Sequence, residues 1–358
     1  MVRTTLIAAL LSILVPSGPA AGDEVALRTH GFFDVEMEIG NKNEAAERGT
    51  FDQHHLTVIW QAILDKKFRL LFETSYEHGP TLEGASGEGK IYLPKAYAEY
   101  GHSDALRLRF GKFLPPFGIY NERHDATPTV IPTVLPQSVY GKHPNLSGVL
   151  ADSLGQSVRA YPRFATGAWV LGRTWFGEWE VEYNMYFTNG RGDEPHEKDD
   201  NRNKGIGTRL VVTPPLGIRF GVSWYADRNG SLNDARQDAV GFDVEYDASA
   251  LYLEAGVVLP RLETLAADGT PTGDRREPRG WYVMSGYTIW GGTTPFAYHD
   301  QYDPDNEVDG DRVHDTAIGV NHALAPTVFL KGEVHFVEFE AAGRDGYHNL
   351  VASLAVAF

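Results

Sequence analysis

The sequence predicts an all-β fold, a transmembrane antiparallel β-barrel of about 16 strands with a long third external loop folded into the bore. Three observations predict this fold. About 16 segments alternate apolar and polar residues, short and long connections follow each other in strict turn, and the last segment is itself an alternating strand. A strand shows alternate residues to opposite sides, so this pattern turns an apolar face to lipid and a polar face to the lumen. No helical periodicity competes with it.

The alternating segments account for most of the chain. They lie near residues 27–38, 53–64, 66–77, 92–102, 105–113, 166–174, 177–188, 204–213, 216–226, 237–247, 249–258, 280–289, 292–301, 312–322, 326–338 and 346–358. The last one aligns Leu350, Ala352, Leu354, Val356 and Phe358 on one apolar face, as expected for a closing barrel strand in contact with lipid. An edge strand of a soluble β-sandwich would alternate in the same way, so this segment alone does not decide between the two folds.

The connections decide between them. The tight ones are Asp65-Lys66, His102-Ser103-Asp104, Phe176-Gly177, Thr213-Pro214-Pro215, Ala248-Ser249, Trp290-Gly291-Gly292 and Ala323-Leu324-Ala325-Pro326. Those between them are long and polar. Short turns at one end and long loops at the other are typical of bacterial outer-membrane barrels. No such segregation of short and long loops is expected in a soluble sandwich.

Residues 1–21 predict a cleaved secretory signal peptide. Arg3 supplies the basic start, Leu6 to Val15 form an apolar core, and small residues around Ala20 form the cleavage zone. The core is too short to cross a bilayer as a helix, and no later segment offers about 18 continuous apolar residues. We therefore expect export to the bacterial outer membrane and one mature domain, a barrel over residues 22–358.

The composition of the 358 residues excludes several classes of function. The absence of cysteine removes disulfides and thiolate chemistry. A formal net charge of -16 argues against nucleic acid as a partner, because its phosphates require a basic surface. The mean hydropathy of -0.30 is too low for a helical membrane protein but suits a barrel with a polar lumen and polar loops.

The strand near 177–188 shows the two faces most clearly. Trp179, Val181, Tyr183, Met185 and Phe187 fall on one side, and Glu178, Glu180, Glu182 and Asn184 fall on the other. We expect the first set to meet lipid and the second to meet water.

The connection over residues 114–165 is the longest in the chain. It contains Pro115, Pro116, Pro128, Pro132, Pro136, Pro144 and Pro162 among apolar residues such as Val130 and Leu135. A connection of this length is usually functional or disordered, and its apolar content argues against disorder. We expect it to fold into the lumen and narrow the bore. The alternative is an external cap packed against other loops.

One stretch of sequence resembles a known family. The runs Ala96 to Gly101 and Leu106 to Phe113, followed by Pro115-Pro116-Phe117-Gly118, resemble bacterial outer-membrane porins related to the phosphate-selective porin O/P family. The similarity is sharp over about residues 92–125. It implies a 16-stranded, usually trimeric channel with an infolded third loop and basic residues along the path. The family's phosphate selectivity requires a lysine-rich constriction, whereas this loop offers only Lys142 with Arg123, Arg159 and Arg163, so phosphate specificity does not carry over.

The alternation also predicts which charges line the pore. Candidate basic residues are Arg69, Lys95, Arg107, Arg109, Arg209 and Arg219, which would form an arc beside the long loop. Candidate acidic residues on other strands are Glu180, Glu182, Asp243, Glu245 and Glu254, and the loop adds Glu122, Arg123, Asp125, Lys142 and Asp152. Opposed basic and acidic walls would set a field across the pore. The alternative is that these charges pair with one another and solvate a wet lumen.

Two further groups of residues offer side chains that could bind metal or support catalysis. Asp303, Asp305, Glu307, Asp309 and Asp311 recur at every second residue and form a weak candidate for a divalent-metal site, because their spacing does not fit an EF-hand loop. The histidines His54, His55, His314, His322 and His335 are scattered along the chain, and no G-x-S-x-G motif occurs. The sequence therefore gives little support to an enzyme.

We expect a passive diffusion channel for small hydrophilic solutes or ions, with no cofactor and with a constriction between the 114–165 loop and the wall of Arg69, Arg107 and Arg109. Expected partners are outer-membrane lipid and lipopolysaccharide, the permeating solutes and, from the resemblance, further copies in a homotrimer. The alternative is a structural sleeve around a partner such as a multihaem cytochrome, whose haem would belong to the partner because the chain has no C-x-x-C-H motif. A sleeve needs an open bore.

Overall fold

The computed structural model describes residues 25–65, 67–77, 90–123, 127–140, 161–190, 201–248, 250–341 and 343–358. Their strands pair antiparallel with their neighbours in sequence order, and the first strand pairs with the last. The protein is therefore a closed β-barrel, as predicted. The predicted signal peptide lies outside the described residues.

The described strands are β1 (Ala26–Gly40), β2 (Thr50–Ile63), β3 (Phe68–Glu77), β4 (Lys90–Ser103), β5 (Leu106–Phe113), β6 (Ala165–Phe176), β7 (Trp179–Asn189), β8 (Lys204–Thr213), β9 (Ile218–Asn229), β10 (Ala235–Ala248), β11 (Leu251–Leu265), β12 (Pro271–Arg276), β13 (Arg279–Tyr287), β14 (Thr293–Asp303), β15 (Val313–Ala325), β16 (Val328–Phe339) and β17 (Tyr347–Ala357). Two short helices, α1 (Glu44–Arg48) and α2 (Tyr120–Arg123), lie in loops. No helix in the described residues is long and apolar enough to cross a membrane.

Strands β12 and β13 occupy one position in the barrel. Both pair with β11, β12 through residues near its end and β13 along its main part. The barrel therefore has 16 strand positions, in agreement with the sequence. The sequence pattern missed the extension of β11 beyond Val258 and the hairpin that it forms with β12, because Pro260 and Pro271 lie in these segments and proline is uncommon within strands.

Closure of the barrel depends on the last residues of the chain. The Gly31 amide donates to the Phe358 carbonyl at 2.8 Å, and the Phe358 amide donates back to Gly31 at 2.9 Å. Register then runs from Phe32 opposite Ala357 to Gly40 opposite Asn349. A closed barrel leaves no unpaired strand edge, which satisfies the backbone in an environment without water.

The two faces of the wall differ as the alternation predicts. On β7, Trp179, Met185 and Phe187 are exposed on the outside, while Tyr186 and Thr188 are buried on the inside. The main apolar cluster lies inside the barrel and combines the wall with the long connection between β5 and β6: Phe113, Phe117, Tyr120, Val130, Leu135, Val139, Tyr140, Tyr161, Trp169, Leu171, Tyr186, Tyr225, Ala239, Val258 and Tyr282. The interior of this barrel is therefore partly filled by its own chain.

Candidate functional site

The first part of the long connection contacts strands β9 and β10 from the inside. The Gly118 amide donates to Ser223 Oγ at 3.1 Å, and the Arg123 guanidinium donates to both carboxylate oxygens of Glu245, at 2.7 and 3.3 Å. Phe117 stacks on Tyr161, with ring centroids 4.0 Å apart. These contacts hold α2 against the inner face of the wall.

A second part, residues 130–138, is bound to β15 and β16; we call it the wall-bound segment. The Lys331 ammonium donates to the carbonyls of Val130 and Pro132 at 2.7 and 3.0 Å. The Glu333 carboxylate accepts from the amides of Thr133 and Val134 at 2.9 and 2.7 Å. Both side chains are almost fully buried, so charged groups of the wall satisfy the polar backbone of this segment.

Strand β14 binds the end of the wall-bound segment. The Asp300 carboxylate accepts from the amides of Gln137 and Ser138 at 2.8 and 3.1 Å and also from the Ser138 hydroxyl. The Tyr298 hydroxyl donates to the Val134 carbonyl at 3.1 Å. Asp300, Tyr298, Lys331 and Glu333 occupy the buried, inward positions of their strands. The described parts of the long connection therefore contact the inner face of the barrel.

Four charged residues on β3, β4 and β5 form what we call the Glu99 cluster: Arg69, Glu99, Arg107 and Arg109. Arg109 donates two hydrogen bonds to Glu99 Oε2, at 3.2 and 2.8 Å. Nitrogen atoms of Arg69 and Arg107 lie 3.6 and 3.8 Å from Glu99 Oε1. Three guanidinium groups thus share one carboxylate, and the cluster carries a local positive excess.

Arg109 is also held by aromatic rings. Its guanidinium carbon lies 4.1 Å from the ring centroid of Tyr97 and 4.2 Å from that of Trp169. Cation–π contacts of this kind orient an arginine and stabilise its charge. Arg109 is therefore a structural member of the cluster, whereas Arg69 and Arg107 are the more exposed members.

The other predicted basic residues pair with acidic residues of neighbouring strands. Lys95 Nζ lies 2.9 Å from Glu73. Arg209 makes two contacts with Asp243, at 2.6 and 2.8 Å. The remaining predicted residues pair as Arg219 with Glu182 and Glu245 and Arg123 with Glu245. Arg173, which the sequence analysis did not single out, pairs with Glu180.

These pairs correct the prediction of opposed basic and acidic walls. Glu73 and Glu99 lie within the predicted basic arc, and Arg209 and Arg219 are joined to acidic residues of β7 and β10. Opposite charges therefore alternate around the wall, and outside the Glu99 cluster they largely pair with one another. Of the predicted residues, Asp125, Lys142 and Asp152 lie outside the described part of the chain.

In several of these ion pairs the basic side chain is more exposed than the acidic one. The Arg69 side chain is 41% exposed, whereas that of Glu99 is 4% exposed. Arg219 is 36% exposed, and its partner Glu245 is 9% exposed. Glu180 and Glu182 are exceptions and stay partly exposed. On β3 to β5 the carboxylates lie against the wall and the guanidinium groups reach past them, so the accessible surface there is basic.

The Glu122 side chain on α2 is accessible to solvent in the barrel interior, although the wall and the loop surround it. It makes no ion pair with any described residue, but it lies within electrostatic reach of Arg109, Arg209 and Lys95. Enclosure by the wall and the loop raises the pKa of the Glu122 carboxyl, although those three cations pull it downward. Glu122 therefore lies within electrostatic reach of basic residues on β4, β5 and β8.

The acidic residues of the β14–β15 loop are not gathered into a metal site. Asp303 is ion-paired with Arg312 at 3.1 Å, and Asp305 accepts a hydrogen bond from the Glu307 amide. Within the described residues, the only group of three His, Asp or Glu side chains with ligand atoms within 4.8 Å of one another is Asp34, His54 and His55. The histidines are thus not all scattered in space.

Sequence reasoning missed the acids that organise the site. Glu99 shares its strand parity with Lys95 and Tyr97, and Glu73 shares its parity with Arg69, so alternation could have placed both inside. The contacts of Lys331 and Glu333 with the wall-bound segment join residues about 200 positions apart, and no local sequence pattern predicts them.

Comparison with known proteins gives consistent results. A family described as Gram-negative porin matches residues 5–342. A search of curated proteins gives no match. Similar solved structures include the anion-selective porin from Comamonas acidovorans, with 14% identity and a TM-score of 0.62, covering 94% of this chain and 100% of that chain.

Two other similar structures are an OmpF complex with daunomycin from Salmonella typhi and the trimer form of OmpT from Vibrio cholerae. The first has 11% identity, a TM-score of 0.63, and coverage of 93% of this chain and 97% of that chain. The second has 11% identity, a TM-score of 0.61, and coverage of 94% and 100%. At these identities the likeness shows a shared barrel fold.

Proposed function

The chain belongs to the Gram-negative porins, which are outer-membrane channels, and on this premise we propose that it is a passive diffusion channel whose constriction favours small anions. The observation that carries the proposal is the unequal exposure within the Glu99 cluster. Arg69 and Arg107 are accessible, whereas the single carboxylate of the cluster is buried.

The constriction is formed by the connection between β5 and β6. Its described parts are hydrogen-bonded to inward side chains of β9, β10, β14 and β16. A loop fixed in this way narrows the path and forces solutes toward the opposite wall. That wall is β3 to β5, with Arg69 and Arg107 at its surface and Glu122 facing it from α2.

The anion preference follows from local charge. Guanidinium groups stay ionised at every relevant pH. Charges in a narrow passage with walls of low dielectric constant act strongly on permeating ions, whereas remote surface acids are screened over about 8–10 Å. The accessible arginines therefore outweigh the net charge of -16, which counts external loops as well.

The proposal also covers the export, the membrane location and the assembly of the protein. Residues 1–21 act as a signal peptide that is removed on export, and residues 22–358 form the mature channel. The outer apolar face contacts outer-membrane lipid, and lipopolysaccharide lies beside the external loops. We expect three copies to assemble, as in the trimer form of OmpT from Vibrio cholerae.

Two alternatives receive less support. A sleeve around a partner protein needs an open bore, whereas inward side chains such as Lys331 and Asp300 are already bound to the chain's own loop. An enzyme would need a catalytic constellation, and membership of a channel family favours transport.

Planar-bilayer recording of the purified, untagged protein tests the proposal. We expect discrete conductance steps and, in a KCl gradient, a zero-current potential with the sign of chloride preference that weakens as salt rises. A folded barrel that gives no steps would contradict the channel. Steps with potassium preference at low salt would contradict the anion-selective constriction alone.

A further inference from the structure

A β-bulge brings two adjacent histidines to the same side of the wall. Between β1 and β2, Asp34 pairs with His55 and Glu36 pairs with Asp52, so His54 and Gln53 together oppose Val35. In a regular strand His54 and His55 would point to opposite faces, but an extra residue breaks that alternation. Both imidazoles therefore approach the inward carboxylate of Asp34.

The distances around Asp34 suit one metal ion. His55 Nδ1 lies 3.1 Å from Asp34 Oδ1, and His54 Nδ1 lies 3.7 Å from Asp34 Oδ2. Zinc binds imidazole nitrogen and carboxylate oxygen at about 2.0–2.2 Å, so two ligand atoms on a tetrahedral ion are about 3.3–3.5 Å apart. The two rings are stacked with centroids 4.0 Å apart, and a small rotation of the partly exposed His54 would bring its nitrogen onto the ion.

Further carboxylates surround these three residues. Glu36 Oε1 lies 2.8 Å from His54 Nδ1 and offers a fourth ligand. On the other side, His55 Nε2 lies 3.5 Å from Glu77 Oε1. Glu77 accepts a hydrogen bond from the Tyr92 hydroxyl. A carboxylate behind a ligating histidine is the usual support of such a metal ligand, because it fixes the ring and the proton on the second nitrogen.

The cluster is accessible from inside the barrel. A cavity of about 340 Å³ is lined by His54, Glu36 and Asp52 on one side and by Val134 and Gln137 of the wall-bound segment on the other. Asp34 is fully buried and His55 nearly so. The ligand atoms are therefore pre-positioned by the wall, while His54 and Glu36 border a space from which a hydrated ion can enter.

We propose that Asp34, His54 and His55, with Glu36 as a fourth ligand, bind a divalent transition-metal ion of the zinc class on the inner wall of the barrel. Two imidazoles and carboxylates are a ligand set suited to Zn²⁺ or Co²⁺ rather than to Ca²⁺ or Mg²⁺, which prefer oxygen ligands alone. On binding, both Nδ1 atoms coordinate the ion, and the ring protons reside on the Nε2 atoms; in His55 this atom faces Glu77. The competing interpretation is a hydrogen-bonded His55–Asp34 pair that binds no metal.

Metal binding to the full mature chain tests this proposal. Untagged protein in detergent, depleted with EDTA, would be titrated with Zn²⁺ by calorimetry, and its metal content would be measured after gel filtration. We expect about one Zn²⁺ per chain. Replacement of bound Zn²⁺ by Co²⁺ should give the intense visible absorption of a tetrahedral site, which nonspecific surface binding does not give.

Variants assign the ligands. His54→Gln and Asp34→Asn should abolish stoichiometric binding, and Glu77→Gln should weaken it by about 10–100-fold through loss of the supporting carboxylate. The matched control is His348→Gln, which removes an exposed imidazole from β17. Heat-modifiable migration in gels would verify that each barrel is folded.

Two outcomes would overturn the proposal. One is a wild-type protein that binds no Zn²⁺ and gives no tetrahedral Co²⁺ spectrum, as expected of a simple hydrogen-bonded pair. The other is unchanged binding in folded His54→Gln. Neither outcome affects the channel proposal, because the binding measurements do not depend on conductance.

Discussion

Arg109 donates two hydrogen bonds to Glu99 across neighbouring strands, and this pair organises the charge of the inner wall. The Glu99 carboxylate is almost fully buried and also lies near Arg69 and Arg107. One buried acid therefore holds three arginines in place, while two of them keep much of their charge accessible. The pair connects the stability of the wall to the selectivity that we propose for the channel.

Removing the charge of Glu99 should change the stability of the wall and the ion selectivity of the channel in different directions. In Glu99→Gln we expect a stronger anion preference, because three guanidinium groups lose their shared counter-charge. We also expect a loss of about 1.5–3 kcal/mol in the free energy of unfolding, the usual contribution of a hydrogen bond to a charged group. Zero-current potentials and denaturant unfolding in detergent measure the two effects. Glu340→Gln, in the loop after β16, is the control, and equal behaviour of the two variants would be inconsistent with the role given to Glu99.

Lys331 should hold the wall-bound segment in place. In Lys331→Met the carbonyls of Val130 and Pro132 lose two charge-assisted hydrogen bonds, each worth about 1.5–3 kcal/mol. We expect a noisier channel with larger mean conductance and faster proteolysis within the long connection. Lys67→Met, an exposed lysine in the short turn between β2 and β3, is the control. A quiet channel of wild-type conductance in folded Lys331→Met would show that the segment does not limit the current.

Gly111 should tolerate no side chain. Its φ of +134° lies in a region that L residues rarely adopt, and a Cβ there would collide with the Ala96 carbonyl oxygen. The backbone conformation alone costs a non-glycine residue about 1–3 kcal/mol. We expect Gly111→Ala to lower folding yield and the unfolding midpoint, measured by gel migration with and without heating.

Gly332→Ala is the matched control for Gly111→Ala. Nothing lies within 4 Å of a Cβ built at that position, so we expect wild-type folding yield. Equal yields for the two variants would argue against the register between β4 and β5.

Glu122 should make selectivity depend on pH. The pKa of its carboxyl lies above the usual value of 4.5, so it takes up a proton earlier than an ordinary glutamate as pH falls from neutral. Loss of that negative charge should increase the anion preference. Glu122→Gln should show the increased preference already at pH 7 and should lack this pH step, whereas Glu47→Gln, exposed on α1, should retain it. Zero-current potentials between pH 7 and pH 4 measure this, and a pH step that survives in Glu122→Gln would assign it to another group.

The barrel fold could be predicted from the sequence because it depends on local patterns, namely the alternation of apolar and polar residues and the lengths of the connections. Alternation on segments such as β7 indicated which residues lie on each face, and short connections alternated with long ones. The structure confirms the antiparallel barrel that these patterns predicted. The resemblance to porins carried by residues 96–118 is confirmed by the family match. Among the described elements, the β11–β12 hairpin was missed, and the short helices α1 and α2 were not predicted.

The organisation of the interior could not be predicted in the same way. The pairing of Glu99 with three arginines depends on strand register, which alternation alone does not specify. The binding of Val130 by Lys331 depends on closure of the barrel. The meeting of His54 with His55 depends on a bulge that reverses the expected parity. In each case the determining contact is set by strand register or barrel closure.

The zero-current potential of the double variant Arg69→Glu/Arg107→Glu in a KCl gradient at low salt shows whether the Glu99 cluster sets the ion preference of the channel. These two arginines are the accessible members of the Glu99 cluster, and both lie on inward strand positions. We expect a shift from chloride toward potassium preference, while Arg236→Glu on the outer face of β10 should leave the potential unchanged. A folded double variant with the wild-type potential would contradict this expectation, because these residues would then lie outside the conducting path.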